Sequence, residues 1–257
     1  ILLLPPSESK ESASGRAKLK FNTLAFPELS TIRADVLDEL IRVCNGSAKT
    51  ARNILGVSEK QQWEIERNQN LKKAAVAPAW QIYTGVLYDA VSFSTLTKAQ
   101  QTKLGEMTFV QSALFGLISL VDQIPAYRLS GDCILPKLGS LPSIWSSACT
   151  QVLASTDDFI IDLRSGMYQK LGPLPSKSEC VVPKILQRMP SGPPKVVSHF
   201  NKATKGRIVR AIAQSKTKVN TVEALANVAT SLGAEVNVKS PKGSSGTTAL
   251  EVIVGEL

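Results

Sequence analysis

The sequence has few of the residues that usually build metal and redox sites. Its 257 residues include one histidine, His199, and four cysteines, Cys44, Cys133, Cys149 and Cys180. The cysteines are far apart in the sequence, so the CxxC motifs of redox and zinc proteins are absent. Because one histidine and scattered cysteines form a poor ligand set, we expect no metal site, no cofactor and four reduced thiols in the core.

Long apolar runs and the common nucleotide-binding motifs are also missing. No apolar segment reaches the roughly 20 residues that a membrane-spanning helix needs, so we expect no membrane partner. The absence of GxGxxG, GxxxxGK(S/T) and GxSxG excludes the usual nucleotide cradles and the nucleophile elbow of hydrolases. Residues 1–4 are apolar, but Pro5-Pro6 follows at once. We therefore expect a buried strand there rather than an export signal, and a cytoplasmic protein.

Positive charge is concentrated in one part of the chain. The net charge is +9, yet residues 164–218 contain twelve lysines and arginines and one acid, Glu179, which makes this segment +11. The remaining residues carry a charge of −2. This asymmetry indicates a polyanionic partner such as DNA, or another phosphate-bearing ligand. The alternative is a solvated basic surface that only keeps the protein in solution.

Hydrophobic periodicity predicts a mixture of helices and strands without strict alternation. Helices are predicted over 27–44, 47–55, 58–75, 95–105, 141–153, 201–215 and 221–232. Strands are predicted over 1–4, 107–114, 158–163, 180–186, 195–199, 234–238 and 249–254, with a loop over 242–246. This order favours an α/β fold of the mixed α+β kind, with an irregular mixed sheet surrounded by helices, rather than a Rossmann fold. We expect one compact domain over residues 1–257.

The predicted helix over 201–215 places four basic residues on two faces. Lys202 and Lys205 share a face with the apolar residues Ile208, Val209 and Ile212. Two buried lysines without partners would be costly, so this face indicates a pocket that holds carboxylates or a bound anion. Arg207 and Arg210 are expected on the opposite face, where they could reach a DNA phosphate. The alternative is that all four side chains extend into solvent.

A second candidate segment follows the apolar strand predicted over 158–163. Asp162 and Arg164 share one face of this strand at its carboxyl end, where open sheets bind their ligands. An internal ion pair that only orients the loop is the alternative.

Two further segments supply polar and aromatic candidates. Ser112 lies in the strand predicted over 107–114, and Tyr127-Arg128 follows a proline turn, where the ring and guanidinium suit a base or a phosphate. Packing of Tyr127 in the core is the alternative. The loop after Pro5-Pro6 contributes Ser7 and Lys10, which do not stand out by composition.

Taken together, these segments resemble the YaaA peroxide-stress family. The matching motifs lie in the family's order and spacing: Leu3-Leu4-Pro5-Pro6-Ser7-Glu8-x-Lys10, Tyr83-Thr84-Gly85, Ser112-Ala113-Leu114-Phe115-Gly116, Pro125-Ala126-Tyr127-Arg128-Leu129, Asp162-Leu163-Arg164-Ser165 and His199-Phe200-Asn201-Lys202-x-x-Lys205-Gly206. The resemblance implies one α/β domain with a positively charged cleft, a cytosolic role in limiting oxidative damage and an affinity for DNA. It also implies an element like a helix-hairpin-helix, which we expect within 196–215.

Two functions remain open at this point. In the first, the protein binds the DNA backbone through seven basic residues: Lys10, Arg128, Arg164, Lys202, Lys205, Arg207 and Arg210. In the second, it is an enzyme acting on a nucleotide or a damaged base in a pocket lined by Lys202, Lys205, Asp162 and Arg164, with Ser7, Ser112 and Tyr127 nearby. The catalytic candidates are then Asp162 as a base, or Lys202 or Lys205 as a nucleophile. A concave setting for the two lysines would favour the second function.

Overall fold

Parallel strands rich in apolar residues form the centre of the protein. The computed structural model describes residues 1–156, 158–176, 179–239 and 247–255. The predicted loop over 242–246 lies outside these residues. The strands are β1 Leu2–Leu4, β2 Ala77–Pro78, β3 Thr108–Ser112, β4 Gly116–Ser119, β5 Gln123–Ile124, β6 Ile134–Leu135, β7 Gly139–Ser140, β8 Ile160–Asp162, β9 Cys180–Gln187, β10 Glu235–Lys239 and β11 Thr247–Val254. The helices are α1 Ser30–Cys44, α2 Ala48–Leu55, α3 Gln62–Gln69, α4 Ala79–Ile82, α5 Val86–Val91, α6 Lys98–Met107, α7 Leu141–Ala154, α8 Gly166–Gln169, α9 Ser198–Gln214 and α10 Val222–Ser231.

Seven strands form the main sheet in the order β10-β11-β9-β8-β1-β3-β4. The five inner strands are parallel to one another. The two end strands are antiparallel, β10 to β11 and β4 to β3. The short strands form two separate pairs, β2 with β5 and β6 with β7. The predicted mixed α/β fold is therefore confirmed.

The register of β1 positions the functional residues. Leu3 of β1 lies opposite Phe109 of β3 on one side and Asp162 of β8 on the other. All three residues of β1 are completely buried, as expected for a parallel strand covered on both faces. Because the three strands run in the same direction, the segments that follow Leu4, Ser112 and Asp162 meet at one edge of the sheet.

Helix α9 packs closely against α5. A Cβ atom on Gly206 would lie 2.3 Å from the carbonyl oxygen of Leu87 and 2.7 Å from the Cβ atom of Ala90. Only glycine permits this approach without displacing the backbone of α5. The apolar face of α9, with Ile208, Val209 and Ile212, is buried in the hydrophobic core.

Most of the predicted elements are present, but one predicted strand is absent and two predicted helices differ in where they begin or end. The strand predicted over 195–199 is absent, since Lys195 makes only an isolated bridge to Gln187. The amide of Asn201 donates to the carbonyl of Val197, which begins α9 three residues earlier than predicted. The helix predicted over 58–75 ends at Gln69. There the side-chain amide of Asn70 donates to the carbonyl of Glu66 and takes the place of a continuing turn.

Two further local predictions are confirmed. Ser58 and Gln61 form the predicted capping box, and all four cysteines are buried free thiols. The segment expected to hold a helix-hairpin-helix element contains α9, which residues 215–221 connect to α10. No helix within the described residues is long and apolar enough to cross a membrane.

Candidate functional site

Asp162, at the end of β8, and Arg164, two residues further on, form a buried ion pair. The Nε and Nη2 atoms of Arg164 donate to the two carboxylate oxygens of Asp162, each at 2.9 Å. Nη1 donates to Gln111 Oε1 and to the carbonyl of Gly172, and both charged side chains are fully buried. The guanidinium therefore cannot reach a phosphate on a DNA duplex, and the carboxylate is fully engaged. This arrangement corresponds to the internal ion pair that was the alternative in the sequence analysis.

Lys205 links this ion pair to helix α9. Its Nζ atom lies 2.9 Å from the carbonyl oxygen of Leu163 and 3.4 Å from that of Arg164. Burial lowers the pKa of Lys205, although the nearby Asp162 carboxylate opposes the shift. These carbonyl contacts use two of the three N–H bonds of the ammonium, which leaves the third for a ligand.

Lys202 and Lys205 line one concave pocket, which we call the α9 pocket. The pocket encloses about 660 Å³ between the loop after β1, the start of α5, the segment after β8, strand β9 and the first turns of α9. Lys202 is exposed and Lys205 is half-buried. Arg164 contributes to the wall, whereas Asp162 lies behind it. Helical phase placed both lysines at the pocket, but Lys202 is exposed rather than buried, and Asp162 is not among the lining residues.

Basic residues outnumber acidic residues in the wall of the α9 pocket. Three lysines line it, Lys184, Lys202 and Lys205, whereas the charge of Arg164 is neutralised by Asp162 behind the wall. Glu8 is the one acidic residue among the described lining residues, and its carboxylate is paired with Arg128. The first turn of α9 adds backbone N–H groups, because the N-cap residue Val197 makes no side-chain cap. A pocket of this kind attracts an anionic group.

Lys10 is the most unusual titratable residue of the site. Only 8% of it is exposed, and its Nζ atom donates to the carbonyl of Ser7 at 2.7 Å. Nζ also lies 4.3 Å from the ring centroid of Tyr127 and 5.5 Å from that of Tyr83. Burial lowers the pKa of Lys10 to about 7, opposed by the charge of Glu8. A residue so enclosed is not placed for a DNA backbone contact.

The hydroxyl groups beneath Lys10 form a buried chain. Ser112 Oγ accepts from the amides of Leu114 and Phe115 and lies 2.7 Å from Tyr127 Oη. Tyr127 Oη in turn lies 3.0 Å from Tyr83 Oη. Because Tyr127 is 0% exposed, its ring does not stack on a base as one interpretation of the sequence proposed. Its ring supports the Lys10 ammonium instead. Ser7 accepts from the amide of Thr84 and holds the β1 loop against α5.

Of the three remaining arginine candidates, two contact other residues of the protein and one is exposed to solvent. Arg128 pairs with Glu8 and is only slightly exposed. The Nη1 atom of Arg210 donates to the carbonyls of Val91 and Ser92 and to the hydroxyl of Thr95. The expectation that Arg210 faces outward is therefore wrong, because α5 and the turn after it cover that side of α9. Arg207 alone of the pair is exposed.

Three residues of the site were missed as candidates in the sequence. Tyr83 completes the hydroxyl chain, Glu8 separates two cavities, and Gln111 orients Arg164. Tyr83 and Glu8 belong to recognisable motifs, but nothing in the local sequence shows that they approach Lys10 and Arg128.

These features define a mixed α/β protein with a lysine-lined pocket at the carboxyl ends of parallel strands. Comparison with known proteins gives the family: residues 1–235 match the model for the peroxide stress protein YaaA, and the chain belongs to that family. It is 38% identical over 260 residues to a UPF0246 protein of Streptomyces coelicolor, covering 100% of this chain and 99% of the relative.

Other relatives are similar over most of their length. A UPF0246 protein of Corynebacterium efficiens is 40% identical over 242 residues, covering 93% of this chain and 95% of the relative. An uncharacterised protein of Campylobacter jejuni is 30% identical over 252 residues, covering 94% of this chain and 96% of the relative. The resemblance to the YaaA family inferred from the six motifs is thus confirmed, and the family ties the chain to the peroxide stress response.

Proposed function

We propose that this peroxide stress protein binds DNA by holding one nucleotide of the strand in the α9 pocket, with its phosphate against Lys202 and Lys205. The observation that carries the proposal is that both lysines project into one concave pocket at the start of α9. An uncapped helix N-terminus and two ammonium groups at one place form a strong phosphate site.

The size and walls of the α9 pocket suit a nucleotide. Its volume of about 660 Å³ is in the range typical of small-molecule sites. Tyr88, Met167 and Tyr168 also line the pocket and add aromatic and apolar groups to its wall. The lysines would hold the phosphate, and these groups would contact the base and sugar.

The concave setting favours an extruded nucleotide over a regular duplex. Lys205 is half-buried, so the evenly curved backbone of a duplex would not reach its ammonium group. A nucleotide that has left the base stack can enter such a pocket, and unstacking costs least where the base is damaged or mismatched. Exposed Lys202 and Arg207 would meet the flanking phosphates.

The test measures binding to labelled oligonucleotides with one unpaired or oxidised base, and to the intact duplex. We expect tighter binding to the damaged strand, and competition by a free mononucleotide. Lys202→Met should weaken binding about tenfold, as expected when one charged phosphate contact is lost. Lys216→Met, which removes an exposed charge from the same basic segment outside the pocket, is the matched control. Equal effects of the two substitutions, or no competition by the mononucleotide, would contradict the proposal.

A second candidate function is catalysis in the same pocket, on a nucleotide or a damaged base. The concave setting of Lys202 and Lys205 favours this function, as stated in the sequence analysis. The half-burial of Lys205 and its lowered pKa also favour it, because a lysine that loses its proton more readily is a better base or nucleophile. Incubation with oxidised mononucleotides, followed by mass spectrometry, would reveal a product. Lys205→Met should abolish that product, and no product from any substrate would exclude the catalytic function.

A further inference from the structure

A second cavity lies on the other side of Glu8, and we call it the Lys10 cavity. It encloses about 540 Å³ between the loop after β1 and helix α3, with Lys10, Trp63, Glu64, Arg67 and Arg128 in its wall. Trp63 is 49% exposed, and the Arg67 guanidinium carbon lies 4.5 Å from its ring centroid. A large aromatic surface is thus left open beside a buried amine.

Lys10 has no carboxylate partner, although two carboxylates lie near it. The nearer acids are taken by arginines: Glu8 pairs with Arg128, and Glu64 with Arg67 at 3.0 Å. Within the described residues, no carboxylate oxygen lies within 4.0 Å of Lys10 Nζ. A lysine that served only to hold the fold would be expected to take an acid as its partner, because an unpaired buried ammonium is costly.

The backbone of Lys10 is fixed, which gives its amine a defined position. Lys10 forms a β-bridge with Tyr83, and the amide of the next residue, Glu11, donates to the carbonyl of Ile82. The side chain then extends over the Tyr127 ring, with its Nζ atom held by the carbonyl of Ser7. Such a preorganised amine needs little rearrangement to react.

We propose that Lys10 is an amine nucleophile that condenses reversibly with an aldehyde in the Lys10 cavity. The burial that lowers the pKa of Lys10 to about 7 leaves much of the amine neutral at physiological pH, which supports this role. The lone pair of Nζ attacks the carbonyl carbon, the C=O π electrons move to oxygen, and a proton passes from the nitrogen to that oxygen; the second proton of the nitrogen leaves with the hydroxyl group in the next step. The carbinolamine loses its hydroxyl group as water, and an imine joins Nζ to carbon. Water reverses the reaction, and no oxidant or reductant is consumed.

An aldehyde is the ligand class that fits both the chemistry and the surroundings. The charged groups nearest Lys10 are Glu8, Glu64, Arg67 and Arg128, which balance one another, and Glu11 adds a third carboxylate to the cavity wall, so the cavity does not select for an anion. Trp63 offers a surface for a planar, uncharged substituent. Oxidation of sugars and lipids by peroxide yields aldehydes, which is consistent with the family of the chain. The inference does not depend on DNA binding in the α9 pocket.

The test uses the full chain with benzaldehyde and cyanoborohydride, which reduces an imine to a stable benzyl adduct. Peptide mapping at pH 7 should show Lys10 labelled at least about tenfold faster than the average lysine, because ordinary lysines are almost entirely protonated there. The rate should rise with pH to a plateau, with a midpoint near pH 7. Labelling of Lys10 no faster than that of other lysines would overturn the proposal.

Two variants distinguish a reactive amine from a structural cation. Lys10→Arg keeps a cation over the Tyr127 ring but has no amine that forms an imine, so it should fold and lose the fast-labelled site. In Lys98→Arg, which changes an exposed lysine outside the cavity, Lys10 should be labelled as fast as in the parent.

A third variant tests the surroundings of the amine. Glu8→Gln removes the charge that raises the Lys10 pKa, so the midpoint of the rate profile should move to lower pH. An unchanged midpoint would contradict the proposed site. If Lys10→Arg does not fold, the labelling of the parent chain still decides the proposal.

Discussion

At the scale of single residues, the site depends on how buried charges are neutralised. Arg164 and Asp162 neutralise each other completely, whereas Lys10 has only carbonyl and aromatic partners among the described residues. The first arrangement stabilises a structure, and the second keeps a group reactive. Substitution of Arg164 should therefore lower the free energy of unfolding, whereas substitution of Lys10 should remove a reactive amine.

Removing Arg164 should destabilise the protein strongly. Arg164→Met leaves the Asp162 carboxylate buried without its partner, so the free energy of unfolding should fall by about 3 to 5 kcal/mol. Urea denaturation at pH 7 measures this loss. Arg188→Met is the control, because Arg188 pairs with Glu235 on the surface and the loss there should stay below about 1 kcal/mol. Equal losses in the two variants would show that burial of the pair does not matter.

Lys10 should make stability rise with pH. Its pKa in the folded protein, about 7, is below the ordinary value of 10.5, so between these values the unfolded chain binds a proton that the folded protein does not. The free energy of unfolding of the parent, relative to Lys10→Met, should therefore increase by about 2 kcal/mol from pH 7 to pH 9. Below pH 7 the difference should be constant. Denaturation curves at several pH values provide the measurement, and a parallel pH dependence of parent and variant would contradict the lowered pKa.

At the residue scale, the sequence indicated that Asp162 and Arg164 are close together, but the internal ion pair that they form was only the alternative to a ligand site. Asp162 and Arg164 are two residues apart on one strand, so their spacing alone brought them together. Lys10 was not conspicuous, because the rings that surround it come from Tyr83 and Tyr127, which are far away in the sequence. No local pattern carries that information.

At the scale of elements, helix α9 is buried on two sides rather than one. Helical phase correctly placed Lys202 and Lys205 with the apolar residues, but it assumed that the opposite face meets solvent. Gly206 and Arg210 instead contact α5 and the turn after it. The beginning of α9 was also misjudged, because Val196-Val197 favours a strand while the chain already turns there. A periodicity argument identifies one buried face and cannot reveal a second neighbour that approaches through a glycine.

The two arginines of α9 should therefore respond differently to truncation. Arg210→Ala removes three hydrogen bonds to the 91–95 segment, so the free energy of unfolding should fall by about 1 to 2 kcal/mol. Arg207→Ala removes the same charge from an exposed position, so it should leave stability within about 0.5 kcal/mol of the parent. Its effect should be a loss of about 1 kcal/mol in DNA affinity. Thermal denaturation and DNA titration of both variants test this, and the reverse pattern would refute the assigned orientation.

At the scale of the whole molecule, the strong positive charge of residues 164–218 is only partly available to a ligand. Arg164 and Arg210 of this segment are consumed by internal contacts, while Lys202, Lys205 and Arg207 remain at or near the α9 pocket. The sequence reveals the total charge but not this division, because the division depends on packing. It does show the mixed fold, whose apolar strands and helices are each visible in local patterns.

The division of charge predicts how DNA binding depends on salt. If about three phosphates are contacted, the logarithm of the binding constant should fall with the logarithm of salt concentration with a slope of about −3. Contact by all seven basic candidates would give a slope near −6 instead. Titrations at increasing sodium chloride concentrations distinguish the two values. A response independent of salt, or no binding at low salt, would remove DNA binding as the function.

The position of β1 in the middle of the sheet has a consequence for the order of folding. Leu2 pairs with Thr108 and Ile161, so the strand finds its partners only about 100 and 160 residues later. During synthesis its three leucines can pair with β3 once that strand has left the ribosome, but pairing with β8 must wait longer, and such distant pairing is intrinsically slow. The residues that line the Lys10 cavity end at Arg128, whereas those that line the α9 pocket extend to Lys205. The two cavities should therefore form in that order, and the α9 pocket can exist only after both β8 and α9 have been made.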